Sequence, residues 1–322
     1  MRHAIQVLAL GAIACNVNAD NRTSFTAPRA ASHADRPLVI HSTVEAMGKV
    51  RKAHRSATGS TVAPSQLAYK GGIGGNGVEI TPKIYLILWG AQWSRDPAGE
   101  ASLLQGFYSN MGGTQWLSDV TQYCQGLPVG TTNCNGAGAA AGNGAGMLAG
   151  VWSDNASAAP THPTQTQLAA EALNAANHFG NATVAANVNV HYVVATAHNN
   201  NTSGFGTQFC AWHSWTNSST RIAYTNLPYM TDAGASCGAN FNSLGPNAGI
   251  TIVAGHEVAE TITDPFPSTG WVDGGGAEIG DKCAWIGTGK IGAAQSLSMG
   301  GAVYPLQSLW SNASSSCTVT GR

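Results

Sequence analysis

Charged residues are scarce in this chain. Asp, Glu, Lys and Arg make up 10% of its 322 residues, and the formal net charge is −1. No Lys or Arg lies between Arg221 and Lys282, whereas seven acidic residues lie from Asp232 to Asp281. Protein cations cannot neutralise this stretch locally, so a bound metal ion is its simplest explanation, and a solvated acidic loop is the alternative. The chain also lacks a basic stripe with interleaved aromatic residues, which argues against nucleic acid binding.

Long apolar runs are missing too. No stretch reaches about 18 apolar residues, so we expect no membrane span. The short apolar run Ala4–Ala14 follows a basic start and precedes a small-residue cleavage site before Asp20. This pattern predicts a secretory signal over residues 1–19 and a secreted, extracellular protein. Periplasmic retention, or lipid anchoring through Cys15, is the alternative.

Cysteine pairs with CxxC spacing are absent, which argues against a cysteine-ligated zinc site. Removal of the signal with Cys15 leaves six cysteines, an even number that predicts three disulfides in an exported protein. Although several pairings are possible, we expect each cysteine to pair with its nearest neighbour in sequence. The expected pairs are Cys124–Cys134, Cys210–Cys237 and Cys283–Cys317.

Residues 20–77 differ from the rest of the chain because they are basic, poor in aromatic residues and end in a glycine run. They predict a pro-region or a disordered linker. Residues 78–322 are expected to form one monomeric domain. Predicted strands are Lys83–Trp89, Val188–Ala195 and, as an edge strand, Arg221–Asn226. Predicted helices are Ala101–Met111, Gln165–Phe179 (capped by Thr164 or Thr161) and about Gly249–Thr263.

The most informative segment is GHEVAETITDP, Gly255–Pro265. His256 and Glu260 are four residues apart, which stacks them on one helix face, and Glu257 lies beside them. This is the pattern of a zinc-hydrolase helix, with two ligands and a glutamate that activates water at the metal, except that Glu260 replaces the second histidine. The predicted fold is therefore α/β (α+β): a zincin-like mixed sheet, a buried HExxE active-site helix and an irregular, disulfide-bonded C-terminal part.

The apolar surroundings of the motif predict that it is buried. Two like charges ~4 Å apart repel by about 4 kcal/mol at an effective dielectric constant of ~20, so buried carboxylates need a partner. Glu278 follows Glu260 by eighteen residues and is the expected further ligand on a downstream element. Asp281 and Asp264 are candidate ligands or partners that orient the ligand histidine. His213 could complete the metal set, stabilise an oxyanion or be structural.

Several motifs resemble the EXORDIUM-like, phosphate-induced protein 1 family. The resemblance rests on GHEVAETITDP, Trp271-Val272-Asp273, Glu278-Ile279-Gly280-Asp281-Lys282-Cys283, the closing Leu309-Trp310-Ser311 with Cys317, and a Cys-x-x-His segment within Phe209–Ser214. It covers roughly residues 84–319. The chain is similar to a microbial-type member, with Ser311-Asn312 where plant members usually carry Asp-Pro. The resemblance implies an extracellular or cell-wall protein.

Two functional hypotheses follow. The first is a secreted zinc metallopeptidase that acts on a protein or peptide substrate, with Glu257 as general base. The second is a non-catalytic extracellular or cell-wall-associated protein with a structural Ca²⁺ site, since oxygen ligands move metal preference toward calcium or manganese. Glu257 favours the first hypothesis, because a structural calcium site needs no base beside the ligand histidine. A serine hydrolase is a weaker third hypothesis, because no GxSxG occurs.

Overall fold

The computed structural model describes residues 39–47, 66–216 and 218–321. The predicted signal over residues 1–19, with Cys15, lies outside these ranges. The described chain has a mixed α/β fold, with a six-stranded mixed sheet at its centre. None of its described helices combines the length and apolar character that crossing a membrane requires.

The order of strands across the central sheet differs from their order in the chain. From one edge to the other the sheet contains β1 (Val39–Ser42), β8 (Phe209–Trp215), β9 (Ala223–Leu227), β7 (Val190–Thr196), β3 (Lys83–Trp89) and β6 (Leu148–Asp154). Four two-stranded ribbons contain β2 (Ala68–Tyr69) with β10 (Trp271–Val272), β4 (Cys124–Gln125) with β5 (Ala139–Ala140), β11 (Gln295–Met299) with β12 (Ala302–Leu306), and β13 (Leu309–Ser311) with β14 (Ser316–Thr318).

Three α-helices have both ends within the described ranges, and all three lie within one residue of their predicted ends. They are α1 (Glu100–Asn110), α2 (Gln165–His178) and α3 (Ala248–Thr263). Short 3₁₀ helices span Ala91–Ser94, Leu117–Gln122, Ala185–Asn187, Met230–Cys237, Phe241–Ser243 and Asp281–Cys283.

The prediction of an edge strand at Arg221–Asn226 is wrong. The observed strand, β9, pairs in parallel with β7 on one side and antiparallel with β8 on the other, and all five of its residues are buried. Sequence order does not give strand order, and here the later strand inserts between two earlier ones. The sheet edge is instead formed by β1, which pairs antiparallel with β8.

The sheet separates two apolar clusters. In β7, Tyr192 and Val194 belong to the cluster under α2, whereas Val193 and Ala195 belong to the larger cluster around α3. Successive side chains of a strand point to opposite faces, so a strand covered on both faces is a continuous apolar run. All seven residues of β7 are accordingly buried.

Helix α2 begins at the predicted cap. The Gln167 N–H donates to Thr164 Oγ1 at 3.3 Å, and the Thr164 N–H donates to Gln167 Oε1 at 2.9 Å. This reciprocal pair is a capping box, which satisfies two N–H groups that the first turn of a helix cannot bond internally. The helix ends at His178, one residue before the predicted Phe179.

Helix α3 lies in the interior, and all sixteen of its residues are buried. Close packing depends on Gly255, because a Cβ there would lie 3.0 Å from the Trp116 ring and 3.1 Å from Leu306. The helix ends before Asp264-Pro265, as predicted, since a residue preceding proline disfavours helical backbone angles.

The three disulfides occur between nearest neighbours, as predicted. They join Cys124 to Cys134, Cys210 to Cys237 and Cys283 to Cys317. The third disulfide attaches the C-terminal ribbon to the loop that follows β10.

The segment 20–77 contributes two pieces to the fold where it is described. Strand β1 pairs with β8, and β2 pairs with β10. Leu67 and Tyr69 are 0% and 1% exposed and belong to the core cluster around α3. The described parts of this segment are therefore folded against the rest of the protein. Cleavage of the segment as a pro-region stays a prediction.

The region after α3, predicted to be irregular, also contains two regular hairpins. Met299 pairs with Ala302 across a two-residue turn of Gly300 and Gly301, whose φ angles are +57° and +83°. Positive φ at both central positions is the requirement of a hairpin turn that glycine meets without strain. The prediction overlooked this Gly-Gly signal.

Candidate metal centre

Helix α3 places the first two predicted ligands side by side. His256 Nε2 lies 3.0 Å from Glu260 Oε1, and both side chains are 0% exposed. The i,i+4 spacing produces this proximity, and the apolar remainder of the helix keeps water away. Their role as metal ligands stays a prediction.

Strand β8 brings His213 to the same place. Its Nε2 lies 3.1 Å from Glu278 Oε2 and 3.6 Å from Glu260 Oε2. In this strand Ala211 belongs to the core cluster around α3 and Trp212 to the cluster under α2, so the alternation directs His213 toward α3.

Strict alternation along β8 would place Phe209 on the same face as Ala211 and His213, but Phe209 packs on the opposite face. The pairing register of β1 with β8 shifts between His41 and Ser42, so that Ser42 lies opposite Phe209 and His41 opposite Ala211. This irregularity reverses the alternation, and Phe209 packs on the α2 side of the sheet.

The loop after β10 supplies the two downstream carboxylates. The Asp281 N–H donates to Glu260 Oε1 at 2.9 Å, and the Glu278 N–H donates to Asp281 Oδ2 at 3.2 Å. The Trp310 N–H donates to the Ile279 carbonyl at 2.9 Å, which ties the loop to β13. The loop position is therefore set by backbone hydrogen bonds to both the motif helix and the C-terminal ribbon.

Asp264 binds the backbone of the loop that follows α3. Its carboxylate accepts backbone N–H groups from Ser268 at 2.6 Å, Thr269 at 3.2 Å and Gly270 at 2.7 Å. It thereby closes the loop at the end of α3. Burial raises the pKa of Asp264 to about 6, although a hydrogen bond from Glu278 and these N–H groups oppose the rise. Asp264 therefore lies next to the other predicted ligands, but its carboxylate is used as a hydrogen-bond acceptor for the loop after α3.

Glu257 is buried without any hydrogen-bond partner for its carboxyl group in the described chain. It is 1% exposed, and neither carboxylate oxygen has a hydrogen-bond partner among the described residues. Burial raises its pKa well above the usual range, and the nearby His213 opposes that rise. A buried carboxyl group without a partner is unfavourable unless it is protonated or meets a cation or water.

His41 also belongs to the site, and the sequence analysis overlooked it. Its ring stacks on His256 with a centroid distance of 3.8 Å and an interplanar angle of 10°, and Trp285 lies 4.9 Å away on the ring of His41. The side chain is 0% exposed, and neither ring nitrogen has a hydrogen-bond partner in the described chain. Burial and the neighbouring His256 hold its pKa well below the usual value, so its imidazole is neutral.

Gln307 orients His256 and is a second residue that the sequence analysis overlooked. Its Nε2 donates to the Gly280 carbonyl at 2.9 Å and to the Ser308 carbonyl at 3.2 Å, so its Oε1 faces His256 Nδ1 at 3.3 Å. We assign the proton to Nδ1 from this network. The lone pair of Nε2 then points at Glu260 and at Asp281 Oδ1, which lies 3.7 Å away.

We call the seven side chains His41, His213, His256, Glu257, Glu260, Glu278 and Asp281 the His/carboxylate cluster. Three overlapping groups in it could hold a metal ion, each with ligand atoms within 4.8 Å of one another: His41, His256 and Glu257; His213, Glu257 and Glu260; and His256, Glu260 and Asp281. The cluster thus offers both imidazole nitrogen and carboxylate oxygen, a ligand set suited to zinc, iron or manganese.

The pKa values of the cluster reflect a shortage of positive charge. Burial and the charge of Glu260 raise the pKa of Asp281 to about 7. The pKa of Glu260 is lowered despite burial, because His256 and His213 face it. Burial alone would lower the pKa of His256, but the Glu260 charge outweighs it and the pKa is raised. Protons and a metal ion would compete for the same atoms.

Three further histidines lie outside the His/carboxylate cluster. His178 stacks on Trp152 at 4.3 Å. His191 Nδ1 lies 2.9 Å from Glu79 Oε2, and both side chains are 0% exposed. His198 lies beside Asp232 at the surface and is about one-third exposed. None of the three belongs to the metal-capable groups of the described chain.

Comparison of the chain with protein-family models, with curated proteins and with solved structures gives no match. The geometry and chemistry of the His/carboxylate cluster are therefore the basis for inferring the function of the protein.

Proposed function

We propose that this chain is a secreted metal-dependent hydrolase, of the zinc peptidase type, that uses Glu257 as its general base. The observation that carries the proposal is the cluster itself. Its histidines and carboxylates are almost fully buried, and several of their nitrogen and oxygen atoms have no hydrogen-bond partner in the described chain. No Lys or Arg takes part in an ion pair with the cluster among the described residues, and Lys282 Nζ is bound to Asp273 at 3.0 Å. A divalent cation would satisfy these atoms.

His256, Glu260 and Asp281 are the residues that would hold the cation. It would supply Lewis-acid chemistry, polarising a substrate carbonyl and lowering the pKa of water. Glu257, with two free oxygens and a raised pKa, would accept a proton from the attacking water and pass it to the leaving amine. Gln307 would keep the His256 ring in the required tautomer. This division of roles is the zincin-like one that the HExxE motif predicts.

Nitrogen ligands favour zinc over calcium in this proposal. Calcium is a hard cation that takes roughly six to eight oxygen ligands. The cluster places His256 Nε2 and His213 Nε2 beside Glu260, and each would replace an oxygen ligand. The resemblance to the EXORDIUM-like family and the predicted signal support export of the protein, and the three disulfides support the same location.

Burial of the cluster favours the second function, a structural cation without catalysis. The most exposed cluster side chain is Asp281, at 16%. A cavity of about 720 Å³ lies between Cys124–Ala140 and Asn312 and is lined by none of the cluster residues. Hydrolysis of a polypeptide would require the edge strand β1, which carries His41 over His256, to move away or be removed.

The deciding experiment measures hydrolysis of an unstructured protein, such as casein, by the purified full chain and by Glu257→Gln. We expect the variant to lose activity by roughly 10²–10⁴-fold while its metal content stays the same. Glu79→Gln is the matched control, because Glu79 is an equally buried glutamate paired with His191 outside the cluster, and it should keep its activity. A metal-loaded wild type without hydrolysis would decide for the structural cation, and a fully active Glu257→Gln would rule out Glu257 as the general base.

A further inference from the structure

We infer that the cluster binds two divalent cations joined by the Glu260 carboxylate, the first held with His256 and Asp281 and the second with His213 and Glu278. This inference rests on the proposed function only in requiring a cation at the cluster. It adds His213 and Glu278 as ligands of a separate ion.

The two oxygens of Glu260 face two different histidines. Oε1 lies 3.0 Å from His256 Nε2, and Oε2 lies 3.6 Å from His213 Nε2. These histidines come from different elements, α3 and β8, and they occur in different metal-capable groups of the described chain. A carboxylate with one oxygen in each group is placed as a bridging ligand.

A second carboxylate lies near the same Nε2 atom of each histidine. Asp281 Oδ1 lies 3.7 Å from His256 Nε2, and Glu278 Oε2 lies 3.1 Å from His213 Nε2. Two atoms that share a metal at ~2.1 Å, with angles near those of tetrahedral or octahedral sites, lie roughly 3.0–3.5 Å apart. The distances in both halves lie at or close to this range. The halves are alike in composition, with one nitrogen, one Glu260 oxygen and one terminal carboxylate each.

Unpaired atoms are present in both halves. His256 Nε2 in the first half and Glu260 Oε2 in the second have no hydrogen-bond partner in the described chain. A proton shared between His213 and Glu278 satisfies that pair alone and leaves Glu260 Oε2 without a partner. A cation in only one half would leave the unpaired atoms of the other half buried and unsatisfied.

Charge balance is compatible with two ions. Glu257, Glu260, Glu278 and Asp281 would carry four negative charges if all were ionised, and two divalent cations supply four positive charges. With one divalent cation, two of these carboxyl groups would have to be protonated instead. Two-metal sites with ions roughly 3.5–4 Å apart occur in hydrolases, aminopeptidases among them.

The first test counts cations. Chelator-treated full chain is titrated with Mn²⁺ and with Zn²⁺, and bound metal is measured after removal of free ions. We expect two ions per chain in the wild type, one each in Asp281→Asn and Glu278→Gln, and none or a more than tenfold weakened pair in Glu260→Gln. His191→Gln, in a buried His–Glu pair outside the cluster, should keep both ions.

The second test does not depend on whether the variants fold. Electron paramagnetic resonance of the wild type with one and then two equivalents of Mn²⁺ should change from an isolated six-line spectrum to that of a spin-coupled pair. Saturation of the wild type at one ion per chain would overturn the inference and leave the proposed function intact. Two uncoupled ions would overturn the bridge, and absence of any bound ion would overturn both proposals.

Discussion

The two faces of the central sheet are covered by helices of opposite chemistry. Under α2 the contacts are mainly apolar: Leu168, Ala172 and Ala176 pack in one cluster with Tyr192 and Val194, and the one buried acid of the helix, Glu171, accepts a hydrogen bond from Asn174. Under α3, a fully buried helix adds a histidine and two glutamates to its apolar contacts. The α2 face shows that apolar packing suffices to cover this sheet. The charges of the α3 face are therefore unnecessary for covering it, and we propose that they serve to bind an ion.

Metal removal should produce the largest effect, and only through the α3 face. A ligand present at about 1,000 times its dissociation constant stabilises the folded state by about 4 kcal/mol, so a chelator should lower the melting temperature by roughly 10 °C. Differential scanning calorimetry with and without chelator measures this shift. In Glu260→Gln the chelator should have no effect. An unchanged melting temperature in the wild type would show that no metal ion stabilises the α3 face, which would then not differ from the α2 face in this respect.

Leu168→Ala should destabilise the α2 face by about 3 kcal/mol, since it removes a fully buried side chain and leaves a cavity. Denaturant unfolding at saturating metal measures this loss. Metal content should stay at the wild-type level, because Leu168 belongs to the cluster on the opposite side of the sheet. A variant that folds but loses its metal would show that the two faces are coupled.

Gly280→Ala should weaken metal binding without removing any ligand. A Cβ at this position would lie 2.7 Å from His256 Nδ1, so the ring must shift. We expect a roughly tenfold loss of metal affinity and a destabilisation of about 1–2 kcal/mol. Gly274→Ala in the same loop is the matched control, because nothing lies within 4 Å of its Cβ position. Equal metal affinities of the two variants would contradict the placement of His256.

The smallest effect should be a pH dependence on the α2 face. Burial, opposed by a hydrogen bond from Asn174 and reinforced by Asp154, raises the pKa of Glu171 from 4.5 to about 7. The stability that this group contributes is therefore complete below pH 4.5 and is lost as the pH rises through about 7.

Glu171→Gln cannot ionise, so it should exceed the wild type in stability by about 1 kcal/mol at pH 8 and lose this advantage at pH 4. Urea unfolding at both pH values measures the difference. A stability difference that does not vary with pH would show that Glu171 is not the titrating group.

Local signals in the sequence predicted the elements well. The run KIYLILW coincides with β3, and the Thr164–Gln167 pair defines the start of α2. Such features depend on nearby residues, so a single sequence contains them. The disulfide pairs were also predicted correctly, because short separations bring neighbouring cysteines together.

Features that depend on distant contacts were not predictable. His41 lies in a short segment with no motif, and its place on His256 follows from the pairing of β1 with β8 across more than 160 residues. The position of β9 inside the sheet and the contact of Gln307 with His256 also depend on contacts between residues that are far apart in the sequence. Glu278 and Asp281 were predicted as ligands because they follow the motif helix closely, and the structure places both beside it.

Anomalous X-ray diffraction from crystals of the full chain, grown without chelator and measured at the absorption edge of the bound metal, tests the central claim most directly. We predict an anomalous peak bounded by His256, Glu260 and Asp281, and a second peak between His213 and Glu278. Ordered crystals in which the His/carboxylate cluster holds only water or hydrogen-bonded side chains, with no anomalous peak, would contradict the account.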